Sequence, residues 1–334
     1  MGMMAATPDA AGFTAAICSR DRPGMLRRAL MSLMALDPPA DEILVIDNAP
    51  SDDRTFTLIR DEFPAVRYIR EDVAGLDFAR NRALAESRHS ILGFIDDDVI
   101  ADSAWCGALR SAFDARPALG ACTGRVEALV IETPAQLLFE ANGGFSRGSE
   151  VILLPDDLGR PLHGRSASAI AWAVSIGCGA SLAVRRTAAL SIGGFDNALD
   201  LGAVLPGGGD LDMLWRLLDA GYQLQYQPSA MAWHEHRRDM PSIERQLTGH
   251  QRALLAFLAK SVTRARSGTR GQVSAFFLWR LAKPVVRLGL RMVGRDPLPL
   301  RLLFRMCWNC WIGAIGYGAA RREAARRIAE AKPA

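Results

Sequence analysis

The sequence predicts an α/β fold: a Rossmann-like sheet of mixed, mainly parallel strands flanked by helices, followed by a basic helical appendage. Through the first hundred residues, short apolar runs alternate with amphipathic segments of helical length, which is the pattern of βα units. Three of those runs end in polar or acidic residues, and parallel sheets bind ligands outside the carboxyl ends of their strands. A chain of 334 residues is long enough for one large domain with such an appendage.

The elements follow in order from the apolar runs and the turn residues between them. The predicted strands are residues 14–18, 42–47, 66–69, 91–95 and 175–185. The predicted helices of the first half are residues 23–36, 54–63 and 78–86. Pro23 suits the first turn of its helix, and Leu26, Leu30 and Leu33 recur at helical spacing along it.

Charge divides the chain into two regions. From Lys260 onward there are sixteen Lys and Arg residues against three acidic ones, a net charge of +13, which leaves −9 for the preceding part of a chain whose total is +4. An acidic body and a basic, apolar tail indicate different functional regions. The six cysteines show no framework spacing, so we expect reduced thiols in a cytosol. Residues 1–11 contain no basic patch followed by an apolar run, so we expect no signal peptide.

Three consecutive carboxylates, Asp96, Asp97 and Asp98, end the apolar run at 91–95. At the tip of a buried strand they repel one another unless a divalent cation or hydrogen-bond donors compensate them. Aspartate oxygens suit Mn²⁺ or Mg²⁺. The sequence therefore predicts a cation site here, with a solvated acidic turn as the alternative.

Six segments together resemble a family 2 glycosyltransferase of the GT-A fold, a class that moves a sugar from a nucleotide-diphosphate donor. They are ICSRDRP at 17–23, VIDNAPSD at 45–52, AGLDFARN at 74–81, FIDDD at 94–98, GGFD at 193–196 and GGGDLD at 207–212. The resemblance implies a catalytic domain over residues 12–240, with a nucleotide-binding half at 12–100 and an acceptor half at 101–240. Residues 241–334 form a basic amphipathic tail outside it.

The resemblance assigns roles around the cation. Asp98 is the direct ligand, and Asp96 or Asp97 meets the ribose, either directly or through the cation. Asp47 resembles the acid that hydrogen-bonds the base, with the backbone up to Ser19 on the other side of the base. A helix cap or turn former is the alternative for Asp47.

Gly75, Arg80 and Arg20 complete the expected donor site. Gly75 permits close approach of the backbone. Arg80 pairs with a donor phosphate or, as the alternative, forms a structural ion pair with the acidic triplet, and Asp77 is a further expected partner for it. Arg20 reaches the donor or stays in solvent, and Arg22 is open to the same solvated interpretation.

The expected catalytic base lies after a run of glycines. In the resembling enzymes an acidic pair, usually Glu-Asp, begins this helix, and its Asp deprotonates the acceptor hydroxyl. Here Gly209 replaces the Glu, so Asp210 carries the match and Asp212 is the fallback. A single base implies inversion at the anomeric carbon, whereas a helix cap is the alternative for Asp210.

Two more predictions concern the second half of the chain. In some GT-A enzymes, which this chain resembles, a neutral imidazole after the strand near residue 225 completes the cation shell. We expect His234 rather than His236 in that role, with an imidazole contacting phosphate or two surface histidines as the alternatives. Gly177, Gly179 and Ala180 leave room for the donor sugar, with tight helix-on-sheet packing as the alternative.

The tail mixes basic residues with Trp and Phe, which fits helices lying in a membrane interface. Packing on the body or pairing with a second copy is the alternative. The longest uncharged run of the tail, 306–320, is shorter than the ~20 residues of a spanning helix. We therefore expect a cytoplasmic protein, either free or peripheral on the inner face of the cell membrane. No motif supports nucleic acid as a partner.

The predicted function is cation-dependent, inverting transfer of a sugar from a nucleotide-diphosphate sugar to a hydroxyl of an envelope glycan or a lipid-linked acceptor. One alternative is a catalytically inactive, nucleotide-sugar-binding scaffold at the membrane, which Gly209 favours. The other is a nucleotidyltransferase, but residues 19–24 contain only one glycine, and such enzymes normally carry a glycine-rich phosphate loop there.

Overall fold

The computed structural model describes residues 10–162 and 167–331 of the chain. Nine strands and eleven α-helices lie within those ranges. Residues 1–9, most of the segment inspected for a signal peptide, lie outside the described residues, as does Lys332 of the basic tail.

The first hundred residues form alternating strands and helices, as the sequence predicts. The strands are β1 (Ala10–Ser19), β2 (Glu42–Asn48), β3 (Arg67–Glu71) and β4 (His89–Asp96). The helices are α1 (Pro23–Met34), α2 (Arg54–Glu62) and α3 (Leu76–Glu86). Each predicted element in this half is confirmed in kind and order, with its ends displaced by a few residues.

The middle of the chain completes the sheet and covers it. Its strands are β5 (Val99–Ala101), β6 (Leu119–Ala128), β7 (Ile152–Leu154), β8 (Ser181–Arg185) and β9 (Gln223–His234). Its helices are α4 (Trp105–Ala115), α5 (Pro134–Ala141), α6 (Ala169–Ala173), α7 (Arg186–Ser191) and α8 (Gly209–Asp219).

One sheet runs through the molecule in the order β3-β2-β1-β4-β8-β6-β9-β5, with β7 beside β9. The strands β3, β2, β1 and β4 are all parallel, whereas β8 is antiparallel to β4. In the parallel half, Cys18 lies opposite Asp96 and Ser19 lies opposite Asp47. The carboxyl ends of three strands therefore meet at one edge, and the predicted fold class is confirmed.

The predicted strand at 175–185 is wrong in its first half, because β8 begins only at Ser181. Thr123 Oγ1 donates to the carbonyl of Ile176 (2.7 Å), and a Cβ at Gly177 would collide with the Thr123 side chain. Gly177 is thus tightly packed against Thr123, and it also lines the cleft described below together with Gly179 and Ala180. Room for the donor sugar at this run remains a prediction.

The tail forms three long helices, α9 (Met240–Arg264), α10 (Ser267–Met292) and α11 (Leu300–Ala331). Leu255 and Phe257 of α9 are fully buried in the same apolar core as Ile46 and Leu92 of the sheet. The tail thus shares the core of the body. Across the described residues, no helix combines the length and the apolar character that crossing a bilayer requires.

Candidate active site

A cleft of about 2160 Å³ opens at the carboxyl ends of β1, β2 and β4 and reaches the helices of the tail. Residues from all three strand ends, from the start of α8 and from the end of β9 line it. The predicted site residues among them are Ser19, Arg20, Gly75, Arg80, Asp96, Asp97, Asp98, Asp210 and His234. Asp47 is not part of this lining.

The three carboxylates of the acidic triplet have different surroundings. Asp97 accepts hydrogen bonds from Ser19 Oγ (2.7 Å) and from Arg22 Nη1 (3.1 Å). Asp98 lies 3.6 Å from Arg22 Nη1. Burial, followed by repulsion from Asp98 and Asp97 and opposed by Arg80, raises the pKa of Asp96 to about 7. Both arginines are exposed, but Arg22 rather than Arg20 contacts the triplet, whereas Arg20 Nε lies 3.7 Å from Asp21 Oδ2.

His234 stands beside Asp98 because β5 runs antiparallel to β9 and places Val99 opposite His234. His234 Nε2 lies 3.4 Å from Asp98 Oδ1. Its Nδ1 lies 2.9 Å from His236 Nδ1, and His236 Nε2 lies 2.6 Å from Glu140 Oε1. Burial, with the nearby His236 and Arg237, lowers the pKa of His234 to about 3. The imidazole of His234 is therefore neutral, which is the form that binds a metal. The carboxylate of Glu140 holds His236, and His236 in turn fixes the orientation of the His234 ring.

Asp98 and His234 fit a cation that the substrate helps to hold. Within residues 10–162 and 167–331, no three His, Cys, Asp or Glu side chains converge to hold a metal ion by themselves. Burial and the charge of Asp97 raise the pKa of Asp98, whereas Arg22 at 3.6 Å and Arg237 at 3.9 Å lower it. Mg²⁺-type ions commonly take one or two protein carboxylates and complete their shell with phosphate oxygens and water.

Arg80 is fixed by carboxylates other than the triplet. Its Nη1 lies 3.1 Å from Asp77 Oδ1 and 3.5 Å from Asp200 Oδ2. The pairing with Asp77 confirms that expectation, whereas Asp200 belongs to a loop that the sequence does not single out. Asp200 Oδ2 also accepts the N–H of Gly209 (2.8 Å). Arg80 therefore links α3 to the start of α8.

Gly209 stands where the resembling enzymes have Glu, and a side chain of α3 occupies the space beside it. A Cβ at Gly209 would collide with the carboxylate of Asp77. Burial strongly raises the pKa of Asp77, and the charge of Asp200 raises it further. An acidic group from α3 thus occupies the space that a side chain on α8 would need.

Asp210 presents a fixed carboxylate to the cleft. Its Oδ2 accepts the N–H of Gly179 (2.7 Å), and its Oδ1 accepts the N–H of Leu211 (2.8 Å). Each oxygen retains a lone pair for a substrate hydroxyl. Asp212, the fallback, is fully buried against Lys260 Nζ (2.5 Å) and Arg216 Nε (2.6 Å), so it does not reach the cleft.

Asn48 and Asp47 at the end of β2 face different surroundings. Asn48 Oδ1 accepts the N–H of Gly75 (2.9 Å), and its Nδ2 donates to the carbonyl of Val73 (2.7 Å). Asp47 is fully buried and accepts from Tyr68 Oη (2.9 Å). Its Oδ1 is buried without a hydrogen-bond partner in the described structure. Contact between Asp47 and a base remains a prediction.

Together, the sheet with its acidic strand tip and the carboxylate at the start of α8 define a GT-A-type glycosyltransferase. The family description "Glycosyl transferase family 2" matches residues 14–189. The chain belongs to this family.

Two relatives and one solved structure extend the comparison. The pre-mycofactocin glycosyltransferases of Mycobacterium tuberculosis strains CDC 1551 / Oshkosh and ATCC 25618 / H37Rv are each 27% identical over 232 residues, 68% of this chain. The match spans only 43% of the length of those relatives. The mannosyltransferase PcManGT from Pyrobaculum calidifontis, solved in complex with GDP-Man and Mn²⁺, shares the fold at a TM-score of 0.57 and 17% identity. That likeness covers 97% of this chain and 88% of the other, so it includes most of the tail.

Proposed function

We propose that this protein transfers a sugar, with inversion at the anomeric carbon, from a nucleotide-diphosphate sugar held with Mn²⁺ or Mg²⁺ to a hydroxyl acceptor of an envelope glycan or lipid-linked glycan. One observation carries the proposal: Asp98, His234 and Asp210 line a single cleft at the carboxyl edge of the sheet. A cation ligand pair and a base on one cleft are what sugar transfer from a diphosphate requires.

The donor end of the cleft is built to stabilise the leaving group. Asp98 and His234 would hold the cation, whose charge stabilises the diphosphate as it departs. Ser19 and Arg22 hold Asp97 in place, so the triplet keeps its shape without substrate. Gly75 lets the backbone approach the nucleotide, and its position is fixed by Asn48.

Asp210 acts on the acceptor. Its carboxylate takes the proton of the acceptor hydroxyl while that oxygen forms a bond to the anomeric carbon. The bond between the anomeric carbon and the diphosphate oxygen breaks, and the nucleoside diphosphate leaves. Because one base activates one nucleophile opposite the leaving group, the product has inverted configuration. The backbone N–H groups of Gly179 and Leu211 orient the carboxylate for this step.

The tail presents an apolar stripe suited to a membrane surface. Leu300, Phe304, Trp308, Trp311 and Ile315 of α11 are 44–81% exposed. Their spacing places them within about 80° of arc on one helix face. Exposed arginines such as Arg301 and Arg322 lie on the same helix. Trp and Phe beside basic residues suit an interface with anionic lipid, so we include peripheral attachment to the inner face of the membrane in the proposal.

The substitution Asp210→Asn tests the catalytic assignment. We expect Mn²⁺-dependent binding of the nucleotide sugar to persist, because the donor end is untouched. We expect the release of nucleoside diphosphate, with water as the acceptor, to fall by about 10²–10⁴-fold. Asp114→Asn, an exposed carboxylate on α4, is the matched control and should leave both quantities unchanged. An Asp210→Asn variant that turns over at the wild-type rate would contradict the assignment, whereas a wild type that binds the nucleotide sugar without any turnover would favour the scaffold alternative.

A further inference from the structure

The cleft also reaches α10, six residues of which line it, among them Phe276, Trp279, Arg280 and Lys283 on one helix face. These residues lie in the tail, outside the stretch that the family description matches. The cleft therefore has a cationic end along α10, whereas at the strand tips the carboxylates stand beside Arg22 and Arg237. Nothing in the donor site described above uses the cationic end.

Neither cation at that end is compensated within the described residues. Arg287, one turn beyond Lys283, pairs with Asp296 (2.6 Å) and with Asn142 Oδ1 (2.8 Å). Arg280 and Lys283 have no carboxylate partner there, and Arg280 Nε is buried without a hydrogen-bond partner. Burial, with the neighbouring Arg280 and Arg287, lowers the pKa of Lys283 to about 8.

Partly buried cations without a counter-charge lower the stability of the folded protein unless an anion binds them. A guanidinium and an ammonium one turn apart on a helix match a phosphate group, which accepts several charge-assisted hydrogen bonds. The exposed ring of Trp279 and the partly buried ring of Phe276 stand beside them. They offer an apolar surface to whatever carries that phosphate.

We propose that Arg280 and Lys283 bind a phosphate group of the acceptor, and that Phe276 and Trp279 contact the apolar segment attached to it. The acceptor class is thus a phosphate-bearing, partly apolar molecule. This inference rests on the proposed function.

Hexyl phosphate is the probe, titrated calorimetrically into the full chain in the presence of a chelator so that no cation recruits it to the strand tips. We expect binding that weakens by about tenfold or more in Arg280→Gln/Lys283→Gln. Arg27→Gln/Arg60→Gln removes the same charge from exposed positions on α1 and α2 and should bind hexyl phosphate as the wild type does. Equal weakening in both double variants, or in neither, would overturn the proposal.

Two comparison ligands locate the source of the affinity. We expect 1-hexanol to bind at least about tenfold more weakly than hexyl phosphate because it lacks the charge. Inorganic phosphate should compete with hexyl phosphate but bind more weakly, because it does not reach the two rings. If inorganic phosphate binds as tightly, the ligand is a free phosphate and the acceptor assignment fails.

A parallel titration separates this inference from the proposed function. Mn²⁺-dependent binding of the nucleotide sugar should be the same in Arg280→Gln/Lys283→Gln as in the wild type. If it falls as far as the binding of hexyl phosphate, the cations serve the donor and the inference is wrong while the transferase function stands. If no nucleotide sugar binds to any variant, the proposed function fails, and the acceptor assignment that rests on it fails as well.

Discussion

Gly209 and Asp77 share one space at the start of α8. A side chain at 209 would collide with the Asp77 carboxylate, which is itself held by Arg80. The acidic group next to Asp210, the proposed base, is therefore supplied by α3 in this chain. The departure at Gly209 does not leave Arg80 without a partner, which weakens the one argument for an inactive scaffold.

Moving the acidic group back to α8 tests this exchange. We expect Gly209→Glu to lower donor turnover by about tenfold or more, because two carboxylates then compete for one buried space. Asp77→Gly/Gly209→Glu should recover most of the loss, measured as nucleoside diphosphate release. Gly268→Glu, where an added Cβ meets nothing within 4 Å, should turn over as the wild type does. If the double variant turns over no faster than Gly209→Glu alone, the idea that Asp77 takes the place of the acidic residue on α8 is wrong.

The arginines show how far residue-scale prediction reaches. The motif at 17–23 indicates two arginines after β1, yet spacing alone does not say which one contacts the acidic triplet. Both are exposed; Arg22, directly before α1, pairs with Asp97, whereas Arg20 lies beside Asp21. Asp200 escapes prediction because its loop carries no pattern that ties it to Arg80, 120 residues earlier.

At the scale of elements, Lys260 joins three parts of the chain. From the buried interior of α9, its Nζ reaches Asp212 on α8 (2.5 Å) and Asp196 (2.6 Å). Asp196 also accepts from Tyr317 Oη of α11 (2.6 Å). Burial opposes ionisation of Asp196, but Lys260, Tyr317 and the N–H of Ala198 lower its pKa to about 2. This cluster fixes α8, and with it Asp210, against the tail.

We expect Lys260→Met to lower the free energy of unfolding by about 3–5 kcal/mol at neutral pH, because it leaves buried carboxylates without their cation. The folded pKa of Asp196 lies below its unfolded value, so this stabilisation is present above about pH 4 and is lost as pH falls toward 2. The deficit of the variant should therefore shrink in acid. Urea unfolding between pH 3 and 7 measures it. Arg264→Met, exposed on the same helix, should change stability by less than about 0.5 kcal/mol.

The strands that the sequence predicts best are the apolar ones bounded by turn residues, β1 to β4. The run at 175–180 misleads because small residues are compatible with a strand, whereas Gly177 is in fact packed against Thr123. The pairing of β5 with β9 brings His234 to Asp98. Hydrophobic periodicity cannot predict this pairing, because the two strands lie more than a hundred residues apart. The choice of His234 over His236 came from the resemblance.

For the whole molecule, the tail is both part of the core and a candidate contact with lipid. The charge division of the sequence indicates the tail, but only the structure shows that α9 is buried and that α10 reaches the cleft. Long-range packing of this kind leaves no local signal. The stripe on α11, in contrast, follows directly from helical spacing once its exposure is known.

The stripe gives a direct prediction on vesicles. We expect the full chain to sediment with vesicles containing anionic lipid. Trp308→Ala/Trp311→Ala should lower the partition coefficient by about tenfold or more, since each ring buried in the membrane interface contributes about 1.5–3 kcal/mol to binding. Met31→Ala/Met34→Ala, also exposed and apolar but on α1, is the matched control. If the tryptophan variant partitions normally but changes the oligomeric state, a second copy covers the stripe and the lipid contact is wrong.

The central claim is a cation site that holds a nucleotide sugar, and one titration tests it most directly. UDP, GDP and dTDP sugars are titrated into the wild type and Asp98→Asn by calorimetry, first with Mn²⁺ and then with chelator. The account predicts that one nucleotide class binds with Mn²⁺, that chelator abolishes the binding, and that Asp98→Asn weakens it by about tenfold or more. Absence of binding to all three with Mn²⁺ present, or binding indifferent to both chelator and Asp98→Asn, would contradict it.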